Sequence, residues 1–362
     1  LHDALPICVH GNFIAVDYLV YTHEIFGTLN ESLPIFPILI ATGFTIIILS
    51  IFINKYSNKS PAPSMKLLLA AFICAITIGR IYNSDNFGPV TNSFAHEISK
   101  NGPYEFSYAF INNSLDYTKF YPLTSSSEAL KFIRSKLENK SSMFLEDNSI
   151  NRKIFNPGKL EKYNIVVIMV ESLSAEFMGH FGNTENITPN LDKIADEGIF
   201  FTNIYATGTR TVRGLESLTL AVPPLPGTSI IRRLDNKKLF TLGIPFRENG
   251  YALDFIYGGY SYFDNLENFY SNNHFSIVDR SSLSSDEISF SNIWGVADED
   301  IFNKAIKKFD HHDKHNKPFL SVIMTISNHR PYNFPEGRID IPSGKGRNAG
   351  VKYTDYAIGK FI

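Results

Sequence analysis

The stretch Asn164-Ile165-Val166-Val167-Ile168-Met169-Val170-Glu171 decides the fold. Its unbroken, mostly β-branched run without polar alternation is what a strand covered on both faces of a parallel sheet requires. A carboxylate closes the run at Glu171, and in open α/β sheets ligands gather beyond the carboxyl ends of such strands. The pattern recurs at Tyr251 to Tyr257 (YALDFIY) and at Pro318 to Ile326 (PFLSVIMTI), each time after a helical segment. A further strand is expected at Gly198 to Ile204 (GIFFTNI). Strands alternating with helices predict an α/β domain with a mainly parallel sheet and flanking helices, occupying residues 161–362.

Upstream, Leu33 to Ile53 (LPIFPILIATGFTIIILSIFI) is uncharged and apolar over the roughly 20 residues that a helix needs to cross a bilayer. A second span is expected at Lys66 to Tyr82. Its apolar centre is shorter, and Lys66 and Arg80 stand where they can snorkel to the interfaces. A buried helix of a soluble domain is the alternative for this second run. The loop from Asn54 to Met65 carries Lys55 and Lys59 without an acid, whereas the flank before the first span holds Asp17, Glu24 and Glu31. That asymmetry puts the loop in the cytoplasm and everything after about residue 83 outside the cytoplasmic membrane, in the periplasm or beyond. Residues 1–83 are thus read as a membrane region with two transmembrane helices. Residues 84–160 are read as an amphipathic linker rich in aromatics, including Tyr104, Phe106, Tyr108 and Phe110, with a surface helix at Ser126 to Leu137.

Bulk composition narrows the function classes. With 34 basic and 36 acidic residues the net charge is −2, which provides no field of the kind nucleic-acid binding needs. Two cysteines, Cys8 and Cys74, make neither a disulfide framework nor a thiolate metal site. A metal would therefore sit on oxygen and nitrogen ligands. The chain opens at Leu1 rather than Met and stops at Ile362 inside a helical pattern, so both ends are expected to be cut.

Three polar segments stand where the chain leaves core strands or enters a helix. Glu171 either caps a helix with Ser172 and Ser174 or binds a hard cation. In Ala206 to Gly214 (ATGTRTVRG), hydroxyls and two arginines crowd a helix start, where free N–H groups and the dipole favour an anion such as a phosphoryl group. Threonine needs a metal or a base to become a nucleophile, and a cation on Glu171 would activate Thr211. Arg210 and Arg213 would neutralise phosphate oxygens, or else pair with acids such as Glu216. Thr325 to Pro331 (TISNHRP) delivers His329 to the same sheet edge, as a proton donor or phosphate contact or as a plain capping residue. Trp294 is read as core, with substrate contact as the second reading. Asp310-His311-His312-Asp313-Lys314-His315 has the look of a metal cluster, but is expected to be a solvated loop between a basic helix and a strand.

Taken together, VVIMVESLSAEFMG, TPNLD at Thr188 to Asp192, ATGTRTVRGLES, YGGYSYFDN at Tyr257 to Asn265, IWGVADED and TISNHRPY resemble the lipoteichoic acid synthase and phosphoglycerol transferase group of the sulfatase and alkaline phosphatase superfamily, in wording closest to its Gram-negative branch. The resemblance implies a divalent cation, Mn2+ or Mg2+, on Glu171 and Thr211. It implies Thr211 as nucleophile, His329 as a phosphate contact, and Trp294 and Asp298 beside a glycerophosphate pocket. It further implies phosphatidylglycerol as donor, a phosphothreonine intermediate, and a glycan or other polyol as acceptor. The group completes its metal site with an Asp-His pair, expected beyond residue 362, so the stretch up to Ile362 is expected to be inactive alone. The Cys or Ser-x-Pro-Ser-Arg signature of formylglycine sulfatases does not occur at residues 209–213, which read Thr-Arg-Thr-Val-Arg. Two other functions compete: a phosphoethanolamine transferase, sharing anchor and threonine chemistry, and a non-catalytic membrane-anchored protein that binds polyols or partners.

Overall fold

The structure is a computed structural model, and it describes residues 21–32, 34–57, 64–81, 106–107, 110–111, 122–159, 161–223, 225 and 227–362. The N-terminal part holds α1 (Thr22–Ser32), α2 (Ile35–Ser57) and α3 (Met65–Ile81). Among the described residues α2 is the one helix long and apolar enough to cross a membrane. At about 1.5 Å per residue its 23 residues reach roughly 35 Å, against a hydrocarbon core of about 30 Å. The second expected span is α3, whose 17 residues reach only about 26 Å. Leu33 and Tyr82, the outer bounds of the two expected spans, lie outside the described residues, as do residues 84–105 and 112–121 of the stretch read as a linker.

From residue 122 every position but 160, 224 and 226 is described. Helix α4 (Ser126–Leu137) starts on Ser125 with a capping box, in which the Ser125 hydroxyl accepts from the Glu128 amide and Glu128 reaches back. A hairpin of β1 (Ser142–Phe144) and β2 (Arg152–Ile154) follows. This antiparallel pair was not expected from the linker sequence, because strands of three residues are too short to show alternation.

The domain core is built from β3 (Ile165–Met169), α5 (Pro189–Glu197), α6 (Thr211–Leu220), α7 (Gly243–Glu248), β4 (Ala252–Tyr257), α8 (Leu266–Asn272), β5 (Ser276–Val278), α9 (Asp298–Lys314), β6 (Phe319–Met324) and α10 (Arg347–Phe361). The four strands form one parallel sheet in the order β3-β6-β4-β5. Alternate side chains feed opposite layers, as a pleated strand demands. Leu253, Phe255 and Tyr257 of β4 and Leu320, Val322 and Met324 of β6 join Leu215, Phe269 and Tyr270 on one face. Ile256 and Ile323 turn the other way, onto Ile301, Phe302 and Ile358 of α9 and α10. Phe255 stacks on Tyr270 with ring centres 3.8 Å apart.

Two sequence expectations change here. Residues 198–204 form no strand, and Ile199, Phe201 and Ile204 stand 87%, 66% and 72% exposed. The physical reason is pairing: among the described residues β3 bonds only to β6, so no strand lies alongside this run to hold its amides. The acidic and histidine-rich stretch from Asp310 is not a loop either. It forms the last turns of α9, and His312 is buried, its Nε2 lying 2.8 Å from Asp254 of β4.

Behind the exit of β3, the TPNLD segment ties a knot. Asp192 accepts from the amides of Gly179 and His180 at 2.9 and 3.0 Å and from the Thr188 hydroxyl at 3.0 Å. The His180 ring reaches Asp192 and Asp196 at 2.9 and 3.0 Å, and these hydrogen bonds hold its pKa above the usual imidazole value. A raised folded pKa stabilises the knot fully below the unfolded value of about 6.5 and loses that support as pH rises through the folded pKa. Amide exchange at Gly179 and His180, corrected for its intrinsic pH dependence, is therefore expected to show protection that weakens as pH rises above about 6.5. Unchanged protection above that pH would contradict this.

Candidate active site

Strand register sets the site. Met169 pairs with Met324 and Met324 with Tyr257, so three strands end level with one another. Each then releases a polar segment at the carboxyl edge of the sheet. After β3 the chain turns sharply, with Ser172 at φ 53°, a left-handed conformation that costs a non-glycine residue energy. The surroundings hold the turn in place: the Glu171 amide donates to the Thr325 hydroxyl at 2.9 Å, and Arg347 donates to the Ser172 carbonyl at 2.7 Å.

Helix α6 delivers Thr211 to this turn as its first residue. The Thr211 hydroxyl donates to Glu171 Oε2 at 2.9 Å, and the Ser172 hydroxyl donates to Oε1 at 2.8 Å. Gly214 lets α6 come close, since a side-chain carbon there would lie 3.3 Å from Met169. The sequence reading placed Glu171 and Thr211 together, and they meet. The two arginines differ. Arg210 is the residue before the helix, its carbonyl accepting from the Arg213 amide at 2.9 Å. Arg213 pairs with buried Glu216 at 2.9 Å and also donates to the Gly227 carbonyl. Glu216 further accepts from Ser229 and the Ile230 amide at 3.0 and 3.1 Å. The pairing reading of Arg213 is the arrangement seen, and it anchors the loop after α6.

The exit of β6 reaches the same edge. Buried Asn328 donates to the Glu171 carbonyl at 2.9 Å, which fixes the neighbouring His329 beside the turn. The His329 ring lies on Trp294 with centres 3.7 Å apart, and the Trp294 indole donates to the Arg330 carbonyl at 2.6 Å. Trp294 is half-buried and packs against the core cluster, with Phe263 edge-on at 5.8 Å. The glycines beside it are dictated by close backbone approach: a side chain at Gly295 would begin 2.4 Å from the Gly258 carbonyl.

Asp298 has no exposed surface. Its carboxylate accepts from the amides of Ile326 and Ser327 at 2.7 and 3.2 Å and from the Thr354 hydroxyl at 2.9 Å. Burial pushes its pKa up, opposed by those same hydrogen bonds. It lies beneath the loop that carries His329 and holds that loop to α9 and α10.

One participant lies far away in sequence. Glu24 of α1 is buried and accepts from the Tyr262 hydroxyl, and Glu31 accepts from the Ile293 amide at 3.1 Å. With Tyr257, Tyr260, Phe263, Ile293 and Trp294, Glu24 lines a small recess beside the site. Burial raises the Tyr257 phenol pKa, and the charges of Glu171, Asp264 and Glu24 add to it. Negative charge is thus concentrated here. No signal in the sequence linked Glu24 to residues more than 200 positions away.

As a cation site the donors are oxygen-rich, one carboxylate flanked by two hydroxyls, which suits a hard divalent ion. They fill only part of a shell: among the described residues no group of three or more His, Cys, Asp or Glu converges to hold a metal.

The sulfatase family model matches residues 163–362, more than half of the chain and all of the sheet. The chain belongs to the sulfatase family. Lipoteichoic acid synthase 2 of Bacillus subtilis is 22% identical over 330 residues, covering 88% of this chain and 49% of its own length. The lipoteichoic acid synthase of Staphylococcus saprophyticus is 24% identical over 325 residues, covering 85% and 48%. The chain therefore spans about half the length of these relatives. Among solved structures, an alkaline phosphatase superfamily protein from Vibrio parahaemolyticus is 35% identical with a TM-score of 0.60, over 68% of this chain and 60% of its own. The integral membrane protein lipooligosaccharide phosphoethanolamine transferase A of Neisseria meningitidis shares the fold, with a TM-score of 0.56 at 16% identity over 98% of this chain and 62% of its own. In this sulfatase-family chain the buried Glu216 is a testable anchor. Glu216→Ala would strand the Arg213 guanidinium and is expected to cost roughly 3–5 kcal/mol in denaturant unfolding. A loss below about 1 kcal/mol would mean that Arg213 is solvated.

Proposed function

We propose that the chain belongs to a membrane-anchored phosphotransferase that moves a phosphoglycerol group from phosphatidylglycerol to a glycan or other polyol outside the cytoplasm. One observation carries the reading: the Thr211 hydroxyl donates to Glu171 at 2.9 Å at the carboxyl edge of a parallel sheet. A threonine at a helix start, its hydroxyl hydrogen-bonded to a carboxylate that can hold a cation, is placed to act as a nucleophile. The Thr211 oxygen forms a bond to the donor phosphorus while the bond from phosphorus to the diacylglycerol oxygen breaks, and the proton ends on that leaving oxygen. An acceptor hydroxyl then attacks the phosphothreonine and restores Thr211. The free N–H groups at the start of α6 face the negative oxygens of the phosphoryl group.

In this reading Arg210 and His329 contact phosphate oxygens, Trp294 bounds the head-group pocket, and Arg213 and Asp298 position the loops. Glu171 and Thr211 would hold a divalent cation, Mn2+ or Mg2+, as two members of a larger donor set. When bound, such an ion lowers the pKa of the threonine hydroxyl and offsets phosphate charge. The apolar α2 supports an anchor in the cytoplasmic membrane, and Lys55 at its C-terminal end supports a cytoplasmic side there.

The test uses the full-length protein with defined lipids and mass spectrometry of the Thr211 peptide. Phosphatidylglycerol is expected to leave a phosphoglycerol adduct, Thr211→Ala to abolish it, and Glu171→Gln to slow its formation roughly a hundredfold. An adduct from phosphatidylethanolamine alone would overturn the donor. Undiminished turnover in Thr211→Ala would overturn the nucleophile, and the absence of turnover with every lipid would favour a binding protein.

A further inference from the structure

At the opposite end of the sheet from Glu171 lies a cavity of about 410 Å3, lined among others by Arg247, Asp254, His274, Lys308, His312 and Lys317. These residues come from the end of α7, the starts of β4 and β5, the last turns of α9 and the approach to β6, so all lie at or near the amino edge. The volume falls within the range of small-molecule sites, about 300–1,000 Å3.

Its charge is lopsided. Asp254 is the only acid in the lining, set against Arg247, Lys308 and Lys317 and two histidines. That acid is occupied within the floor. Asp254 is fully buried, its Oδ2 meets His312 Nε2 and the Ser321 hydroxyl at 2.8 Å each, and Lys308 Nζ stands 3.7 Å from Oδ1. A buried carboxylate is expensive unless matched, so Asp254 fixes His312 and Lys308 in the wall instead of leaving them to swing in solvent. Arg247 and Lys317, at the rim, have no carboxylate partner among the described residues. Oδ1 of Asp254 accepts no hydrogen bond and is fully covered, with the Lys308 ammonium 3.7 Å away.

We propose that this cavity binds a phosphate ester, its phosphate against Arg247, Lys308 and Lys317. This second site is separate from the catalytic edge and does not rest on the reading of Thr211. Such an ester has two sources, a soluble polyol phosphate or a phosphoglycerol lipid head group at the membrane surface.

Lysine acetylation followed by peptide mass spectrometry tests it in full-length Thr211→Ala protein, which cannot consume the probe by the proposed route. With sn-glycerol 3-phosphate, or with vesicles containing phosphatidylglycerol, labelling of Lys308 and Lys317 is expected to fall about tenfold. Lys193, 72% exposed on α5, should keep its rate. Protection by the soluble ester supports a free ligand, and protection by vesicles alone supports a lipid head group. Arg247→Glu, an exposed change, is expected to raise the concentration for half-protection about tenfold. Protection by neither probe, equal protection by plain glycerol, or an Arg247→Glu protein that behaves like its parent would each overturn the proposal.

Discussion

The in-register pairing of Met169, Met324 and Tyr257 across three parallel strands is the constraint on which the site depends. Because the three strands stop at one height, their next residues must share one edge. A shift of one residue in β3 would send Glu171 to the other face. Register in turn rests on the buried alternation of β4 and β6, whose odd and even positions feed two different cores. The geometry of the candidate site is thus a by-product of hydrophobic packing, with the polar cost concentrated at the strand ends.

Asp298 and Asn328 show how that cost is met. Each loop leaving the sheet has backbone groups that a strand no longer satisfies, and both side chains supply the missing partners from beneath. The Asp298 carboxylate gathers two amides and a hydroxyl from separate elements. A loop tied in this way can present His329 against Trp294 without being remade for each ligand.

Much of this was legible in the residues themselves. The β-branched run ending in Glu171 gave both a parallel sheet and a carboxylate at its edge, because burial on two faces leaves a compositional mark. Thr211 was legible because helix starts favour hydroxyls and anions for a shared electrostatic reason. The strand expected at residues 198–204 failed because apolar composition records what a segment prefers to touch, whereas strand formation also needs a neighbour. His312 and Asp254 escaped notice because nothing local reports a pairing across 58 positions. Glu24 escaped for the same reason over a far longer span, and Asp298 was read as pocket lining when its surroundings are entirely protein.

The contact of α1 with the aromatic wall has a geometric corollary. Only Leu33 and Pro34 separate α1 from the apolar α2, while Glu24 and Glu31 grip Tyr262 and Ile293. In the proposed membrane-anchored arrangement, so short a tether leaves the sheet edge almost no vertical freedom. Encounters with a lipid would then be confined to a plane, governed by lateral diffusion in the leaflet, while any water-soluble reactant would have to arrive from the side facing away from the bilayer.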